Sequence, residues 1–328
     1  MRILLLGHNK WACMTLRALI DGGHTVVGVV TETDAFDRRE ADVYARFARF
    51  NAYESLKETA EAIGLDVHQP ADINDRTFIA AIDALSPELI VCVSYHAILR
   101  PVLIDRYPDR ILNAHLAPLP DYRGRAPLNW AILNGEDHTA VTVHFIDAGI
   151  DTGQILVQQR IPILESDRSI DVLLRALPEF PNAVLAAIAG IERGTIEPEP
   201  QDPHAGSYFP LRTPSDGLVL WDREKACDIH NKVRALSDPY PEAFSYVRDR
   251  RTRFVSSRLP QDPRRISPVP GIVHRHNEDG SVDVTTIDGS LSIETVRIRE
   301  EVLPAAEALR LGTRFTHPPQ KPTLPHET

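Results

Sequence analysis

Short apolar runs alternate with helix-spaced apolar positions through the first part of the chain. Residues 2–6 (RILLL) and 25–30 (TVVGVV) are rich in branched side chains and closed by glycine or polar residues, which predicts buried strands. Between them, residues 11–20 place apolar side chains at helical spacing before the stop Asp21-Gly22-Gly23. Asn51 with Glu54 has the spacing of a capping pair opening a helix through Ile63, and Asn74 is placed to cap another reaching Leu85. Residues 88–93 form a near-continuous apolar run, the pattern of a strand covered on both faces. Strand and helix at this rhythm predict an α/β fold, with an open, mostly parallel, doubly wound sheet.

The pattern changes after about residue 190. The stretch 197–203 (EPEPQDP) is acidic, proline-rich and without core periodicity, and reads as a linker or a strap over the surface. Residues 225–236 look helical again. The short alternating runs 243–247, 254–259, 281–286 and 291–298 then predict a small antiparallel barrel or sheet. The organisation expected is a catalytic domain over 1–195, a linker over 196–216, a second domain over 217–316 and a disordered tail over 317–328. Composition narrows the setting. The 328 residues are 43% hydrophobic, enough to bury a sizeable core in two domains. No secretory leader is expected, and no apolar stretch is read as approaching the twenty or so residues of a membrane span. Three cysteines (Cys13, Cys92, Cys227) share no metal-ligand spacing, read as buried thiols, and fit a reducing cytoplasm; no metal is expected. A net charge of −10 favours small soluble substrates over nucleic acid gripped through phosphates.

Candidate chemistry concentrates in residues 111–130 (ILNAHLAPLPDYRGRAPLNW). An apolar strand end delivers Asn113 and His115 to one side, because strand side chains alternate. In an open α/β sheet the ligand crevice lies beyond the carboxyl ends of the strands. An amide and an imidazole there can polarise a carbonyl and move a proton. The loop that follows carries Arg123, Gly124 and Arg125, and Pro127 suits the first turn of a helix. Farther on, Asp147 and Asp151 bracket a glycine-containing turn between two strand-like runs (FIDAGIDTGQI). A carboxylate beside His115 would orient its ring and stabilise its charged form. Taken singly, each of these residues has an ordinary structural reading: a satisfied histidine, turn-forming aspartates, surface arginines. Gly7-His8-Asn9-Lys10-Trp11, after the first strand, lies where doubly wound folds bind phosphates. It lacks Gly-x-Gly-x-x-Gly, which argues against a dinucleotide, and it is read as bordering an acceptor pocket.

Asn113-x-His115, the proline-containing loop and Asp151-Thr152-Gly153 together resemble the signature of the 10-formyltetrahydrofolate-dependent formyltransferases. The resemblance extends from residue 1 to about 315. Within that family, the stretches 122–130 and 134–136 look like the group that formylates UDP-4-amino-4-deoxy-L-arabinose. So do 212–216 leading into Trp221, 230–235 and 238–247. The chain departs from the family after the histidine, where Leu116-Ala117-Pro118-Leu119-Pro120 replaces Ser-Leu-Leu-Pro, and over 34–50, which is either a substrate-specific loop or a helical excursion.

The resemblance implies a Rossmann-like catalytic domain, then a small β-barrel of the OB type, and 10-formyltetrahydrofolate as formyl donor. It assigns catalysis to Asn113, His115 and Asp151. For the folate it assigns an apolar wall at Ala97, Ile98 and Leu99, a polar edge at Asp147, Ala148, Gly149 and Ile150, and a contact from Arg125. The acceptor it implies is a small-molecule amine, first a nucleotide-linked aminosugar; hydroxyornithine or methionyl-tRNA are the alternatives within the same chemistry. A non-catalytic folate- or nucleotide-binding module, or a formyl-folate hydrolase, are the readings of other kinds. A homodimer is expected only by analogy.

Overall fold

The computed structural model describes residues 1–262 and 267–318. The chain divides into two compact units, one built from Met1–Ala131, Asp137–Glu165 and Ile170–Leu211, the other from Ile132–Glu136, Ser166–Ser169 and the residues from Arg212 onward.

The first unit begins β1 (Arg2–Gly7), α1 (Asn9–Asp21), β2 (Thr25–Val30), α2 (Asp34–Ala48), α3 (Leu56–Glu61), β3 (Val67–His68), α4 (Arg76–Leu85) and β4 (Leu89–Val93). It continues with α5 (Pro101–Ile104), β5 (Ile111–His115), β6 (Arg123–Gly124), α6 (Pro127–Leu133), β7 (His138–Phe145), β8 (Ile155–Pro162), α7 (Ser169–Ala176), α8 (Glu179–Arg193) and β9 (Tyr208–Phe209). Seven strands form one sheet in the order β3-β2-β1-β4-β5-β7-β8. The first five are parallel; β7 runs antiparallel to β5, and β8 antiparallel to β7. The central strands are apolar throughout because both faces are covered. Leu4, Leu6, Ile90 and Cys92 pack with Ile79 and Ile82 of α4 and Leu103 and Ile104 of α5. On the sheet, α1 packs against β1, β2 and β4, and α8 against β7, β8 and β5.

Local capping departs from the sequence reading at two helices. Ser55 caps α3 through its hydroxyl, which accepts from the Glu58 amide; Asn51 sits before it at φ 53°, and Glu54 pairs with Arg17. At α4, Asp75 accepts from Thr77 and Phe78, while Asn74 faces the other way. Its amide donates to the Ile98 carbonyl and its oxygen accepts from Arg100 N. A short carboxylate reaches the N2 and N3 amides better than the preceding Asn does, so the cap moves by one residue. The segment 34–50 is the helical excursion: Thr33 caps α2 through a bond from Phe36 N. Cys13 and Cys92 are buried, but Cys227 is exposed near the start of a helix whose inward face begins at Ala226. The stretch Ser169–Arg193 is, by length and composition, apolar enough to span a membrane, contrary to the sequence reading. More than half of it is buried, as α8 turns Phe180, Val184, Ala187 and Ile188 inward.

The second unit holds α9 (Ala226–Ala235), then β10 (Ala243–Val247), β11 (Arg250–Arg258), β12 (Val273–His276), β13 (Val282–Thr285), β14 (Ser290–Ile298) and β15 (Glu301–Pro304). The strands form an antiparallel sheet in the order β10-β11-β14-β13-β12, with β15 beside β14. Bridges from Thr316 to Tyr246 and from Arg314 to Ile272 join its two ends through the C-terminal segment, so the strands close on themselves. In its core Trp221 stacks on Phe315 and Phe254 meets both edge to face, with ring centroids 5.1–5.8 Å apart. The expected tail lies, from residue 319 on, outside the described residues.

Candidate active site

Strand β5 ends at the carboxyl edge of the sheet with Asn113 and His115 half-buried on one side. Pairing with β7 sets Asn113 opposite His144. The His144 Nδ1–H donates to the Phe145 carbonyl at 2.7 Å, so Nε2 is an acceptor, and Asn113 Nδ2 donates to it at 3.1 Å. Burial, reinforced by the nearby His115, pushes the His144 pKa down to about 4 against the pull of Asp151, so the ring is neutral at physiological pH. The Asn113 amide therefore has a fixed orientation. Its second contact, to Asp151 Oδ1 at 3.5 Å, is at the limit of a hydrogen bond.

Asp151 arrives from the loop between β7 and β8. Its backbone is left-handed (φ 54°), a conformation Asp tolerates better than most residues. Asp147 shapes that loop as a turn former: its Oδ1 accepts from Gly149 N at 3.0 Å and from the Thr152 hydroxyl at 2.6 Å. Gly153 admits the close return, since a Cβ there would stand 1.8 Å from the Phe145 carbonyl oxygen. Asp151 Oδ2 accepts the Gly124 amide at 2.9 Å and lies 3.8 Å from His115 Nε2. That nitrogen is 3.1 Å from the Tyr122 carbonyl, the group that fixes the ring's orientation here. Three groups thus face one another: an amide, an imidazole and a carboxylate.

The loop supporting them is held by the acidic, proline-rich strap. Gln201 donates to the backbone oxygens of Asp151 (2.9 Å) and Gly153 (2.7 Å) and accepts from Arg123 Nη2 at 2.7 Å. Arg123 is buried, which rules out a surface charge. Arg123 N donates to Ser207 O and Arg125 N to Phe209 O, and Phe209 stacks on Tyr122 with centroids 4.9 Å apart. Gly124 is required where β6 meets β9, because a Cβ there would come within 2.3 Å of Phe209 O.

A cavity of about 270 Å³ opens beside the three groups. Its walls include Ala97, Ile98, Leu99, Arg125, Asp147, Gly149 and Ile150, and Tyr208 at its rim; Ala148 is not part of the lining. Ile98 is 62% exposed, so it is no core residue, whereas Leu99 is shared between wall and core. Asn74 pins this wall through Ile98 O. One face is apolar and the opposite edge is polar, which suits a flat, amphipathic heterocycle.

A sequence model described as formyl transferase matches residues 1–188, and one described as formyl transferase, C-terminal domain, matches 212–310. The chain belongs to the formyltransferase family. A methionyl-tRNA formyltransferase of Pelobacter propionicus is 33% identical over 97% of this chain and 98% of its own length. Among solved structures, WlaRD, a sugar 3N-formyl transferase crystallised with dTDP and 5-N-formyl-THF, superposes with a TM-score of 0.65 at 20% identity, over 92% of this chain and 98% of its own. HypX of Aquifex aeolicus in complex with tetrahydrofolic acid matches with a TM-score of 0.59 at 23% identity, over 94% of this chain and 46% of the HypX chain. The protein is thus an enzyme of the formyltransferase class, with that family's two-part fold.

In this formyltransferase, sequence reasoning missed two residues of the site. His144 lies in a strand that reads as plain β7, and only its antiparallel register with β5 brings it to Asn113. Gln201 lies in a stretch without periodicity, fifty positions from the loop that it holds. The run Thr142-Val143-His144, alternating before Asp147, is the one local signal for the first; nothing local marks the second.

Proposed function

We propose that this enzyme transfers the formyl group of 10-formyltetrahydrofolate to a primary amine, through Asn113, His115 and Asp151. The observation that carries the reading is the meeting of an amide, an imidazole and a carboxylate at the end of one amphipathic cavity. The pteridine lies along Ala97, Ile98 and Leu99, with its polar edge on the backbone of the loop from Asp147 to Ile150. Arg125 closes the rim. The acceptor amine attacks the formyl carbon, and negative charge develops on the formyl oxygen. Asn113 supplies a donor to that oxygen by giving up its long bond to Asp151, while neutral His144 keeps the amide aimed. His115 carries a proton to the departing folate nitrogen, and Asp151 faces the imidazolium that this requires.

For the acceptor, we propose a nucleotide-linked aminosugar. The net charge of −10 and helix α2, where Asp34, Asp37, Glu40 and Asp42 outnumber Arg38, Arg39 and Arg46, favour a small ligand over a phosphate-gripped polynucleotide. Methionyl-tRNA is the second reading, favoured by the 33% identity with a methionyl-tRNA formyltransferase over nearly the full length of both chains. Mass spectrometry after incubation with 10-formyltetrahydrofolate and a mixed panel tests this. A formylated UDP- or dTDP-aminosugar is expected. Formylated methionyl-tRNA alone would replace the acceptor and keep the chemistry, and folate hydrolysis alone would overturn the transfer.

A further inference from the structure

A second cavity, of about 120 Å³, lies between the end of β1 and helix α2, lined by Asn9, Trp11, Phe36, Tyr44, Tyr53 and His96 among others. His96 also lines the folate-side cavity, so one side chain borders both. In the sheet, β1 stands two places from β5, so the ends of these two strands are about 10 Å apart at the usual strand spacing.

The polar groups gathered here are unusual in having nothing to bond to. Outside the cavity lining, His8 is 2% exposed with neither ring nitrogen hydrogen-bonded, and Asp37 Oδ1 lies 3.9 Å from it. Asn9 Oδ1, Asp37 Oδ1, the Tyr44 hydroxyl and His96 Nδ1 are likewise buried without a hydrogen bond, although Glu32 lies 3.3 Å from the last. Buried polar groups are nearly always paired, so an unpaired set in one place marks a site that a ligand completes. Aromatic faces surround them: His8 lies 5.1 Å from Tyr44 and 5.6 Å from His96, and Tyr44 stacks on Tyr53 at 4.6 Å between centroids. The cavity wall carries Glu40 but no Lys or Arg among the described residues, so it does not suit a phosphate. Acceptors and donors interleaved on aromatic faces suit hydroxyl groups, which both give and take a hydrogen bond.

We infer that Asn9, Tyr44 and His96 hold the ring hydroxyls of the acceptor's sugar, with the ring stacked on the aromatic wall and the phosphates directed elsewhere. This rests on the aminosugar reading above and assigns the residues that select the sugar.

The test compares wild type with Tyr44→Phe and Asn9→Gly, which keeps the left-handed backbone at that position, using UDP-4-amino-4-deoxy-L-arabinose as acceptor and circular dichroism to verify folding. Both variants are expected to raise the acceptor KM about tenfold, with a much smaller change in kcat and in affinity for 5-formyltetrahydrofolate. Formylation with an unchanged acceptor KM in both variants would overturn the sugar pocket and leave the acceptor reading standing. If the aminosugar is not formylated at all, the acceptor reading falls. The pocket is then judged by saturation-transfer NMR of the same compound. Saturation of its ring protons by wild type but not by Tyr44→Phe sustains the pocket; equal or absent saturation overturns it.

Discussion

At the scale of single residues, the proposed transfer divides labour among an amide, an imidazole and a carboxylate. Removing one oxyanion donor costs about 3 kcal/mol, roughly a hundredfold in rate. Asn113→Ala, His115→Ala and Asp151→Ala should therefore each fold, by circular dichroism and thermal melting, and lose a hundredfold or more in kcat/KM for formyl transfer. His144 makes a different prediction, about acid. In the unfolded chain its ring titrates near 6.5, and in the fold burial holds it near 4. Between those values the unfolded chain binds the extra proton, so this group's contribution falls as pH drops through the window and is flat above it. The same sign holds for His8. Urea midpoints at pH 7, 5.5 and 4 should decline, and His144→Asn should remove part of that decline. Equal slopes for the two proteins would refute the assignment. Asn113 and His115 were legible because strand alternation places them on one side, whereas turn chemistry left Asp147 and Asp151 open and the family resemblance singled out Asp151. His144 was not legible, because strand register across thirty positions leaves no mark in either segment.

At the scale of elements, the site is a loop held by a strap. Gln201 contacts Asp151 and Gly153 only through their backbone oxygens. Gln201→Ala should therefore lower kcat about tenfold by loosening the loop, while Gln201→Glu, which replaces the donating amide, should do no better. Wild-type turnover in Gln201→Ala would show that the strap is passive. Gly153→Ala is harsher, because its Cβ has no space beside Phe145 O; it should reduce both melting temperature and activity. The strap illustrates where periodicity stops informing. Its prolines announce an irregular path, but what it touches follows from the tertiary fold. The cap moved by one residue at α4, from Asn74 to Asp75, and by four at α3, from Asn51 to Ser55, for a simpler reason: several Asn, Asp and Ser residues stand near each helix start, and the geometry of the turn chooses.

At the scale of the whole molecule, alternation of strand and helix sufficed for the parallel part of the first unit's sheet, and short alternating runs for the antiparallel strands of the second. The reversal of β7 and β8 was not legible, since buried parallel and antiparallel strands carry the same apolar signature. The central claim is that a formyl group leaves folate and becomes an amide at the Asn113–His115–Asp151 cluster. The direct measurement is NMR of the enzyme turning over 10-formyltetrahydrofolate labelled with carbon-13 in the formyl group, with the acceptor panel present. The label is expected to appear as an acceptor formamide with wild type and at least a hundredfold more slowly with His115→Ala. Label released only as formate, or formamide formed by His115→Ala at the wild-type rate, would contradict it.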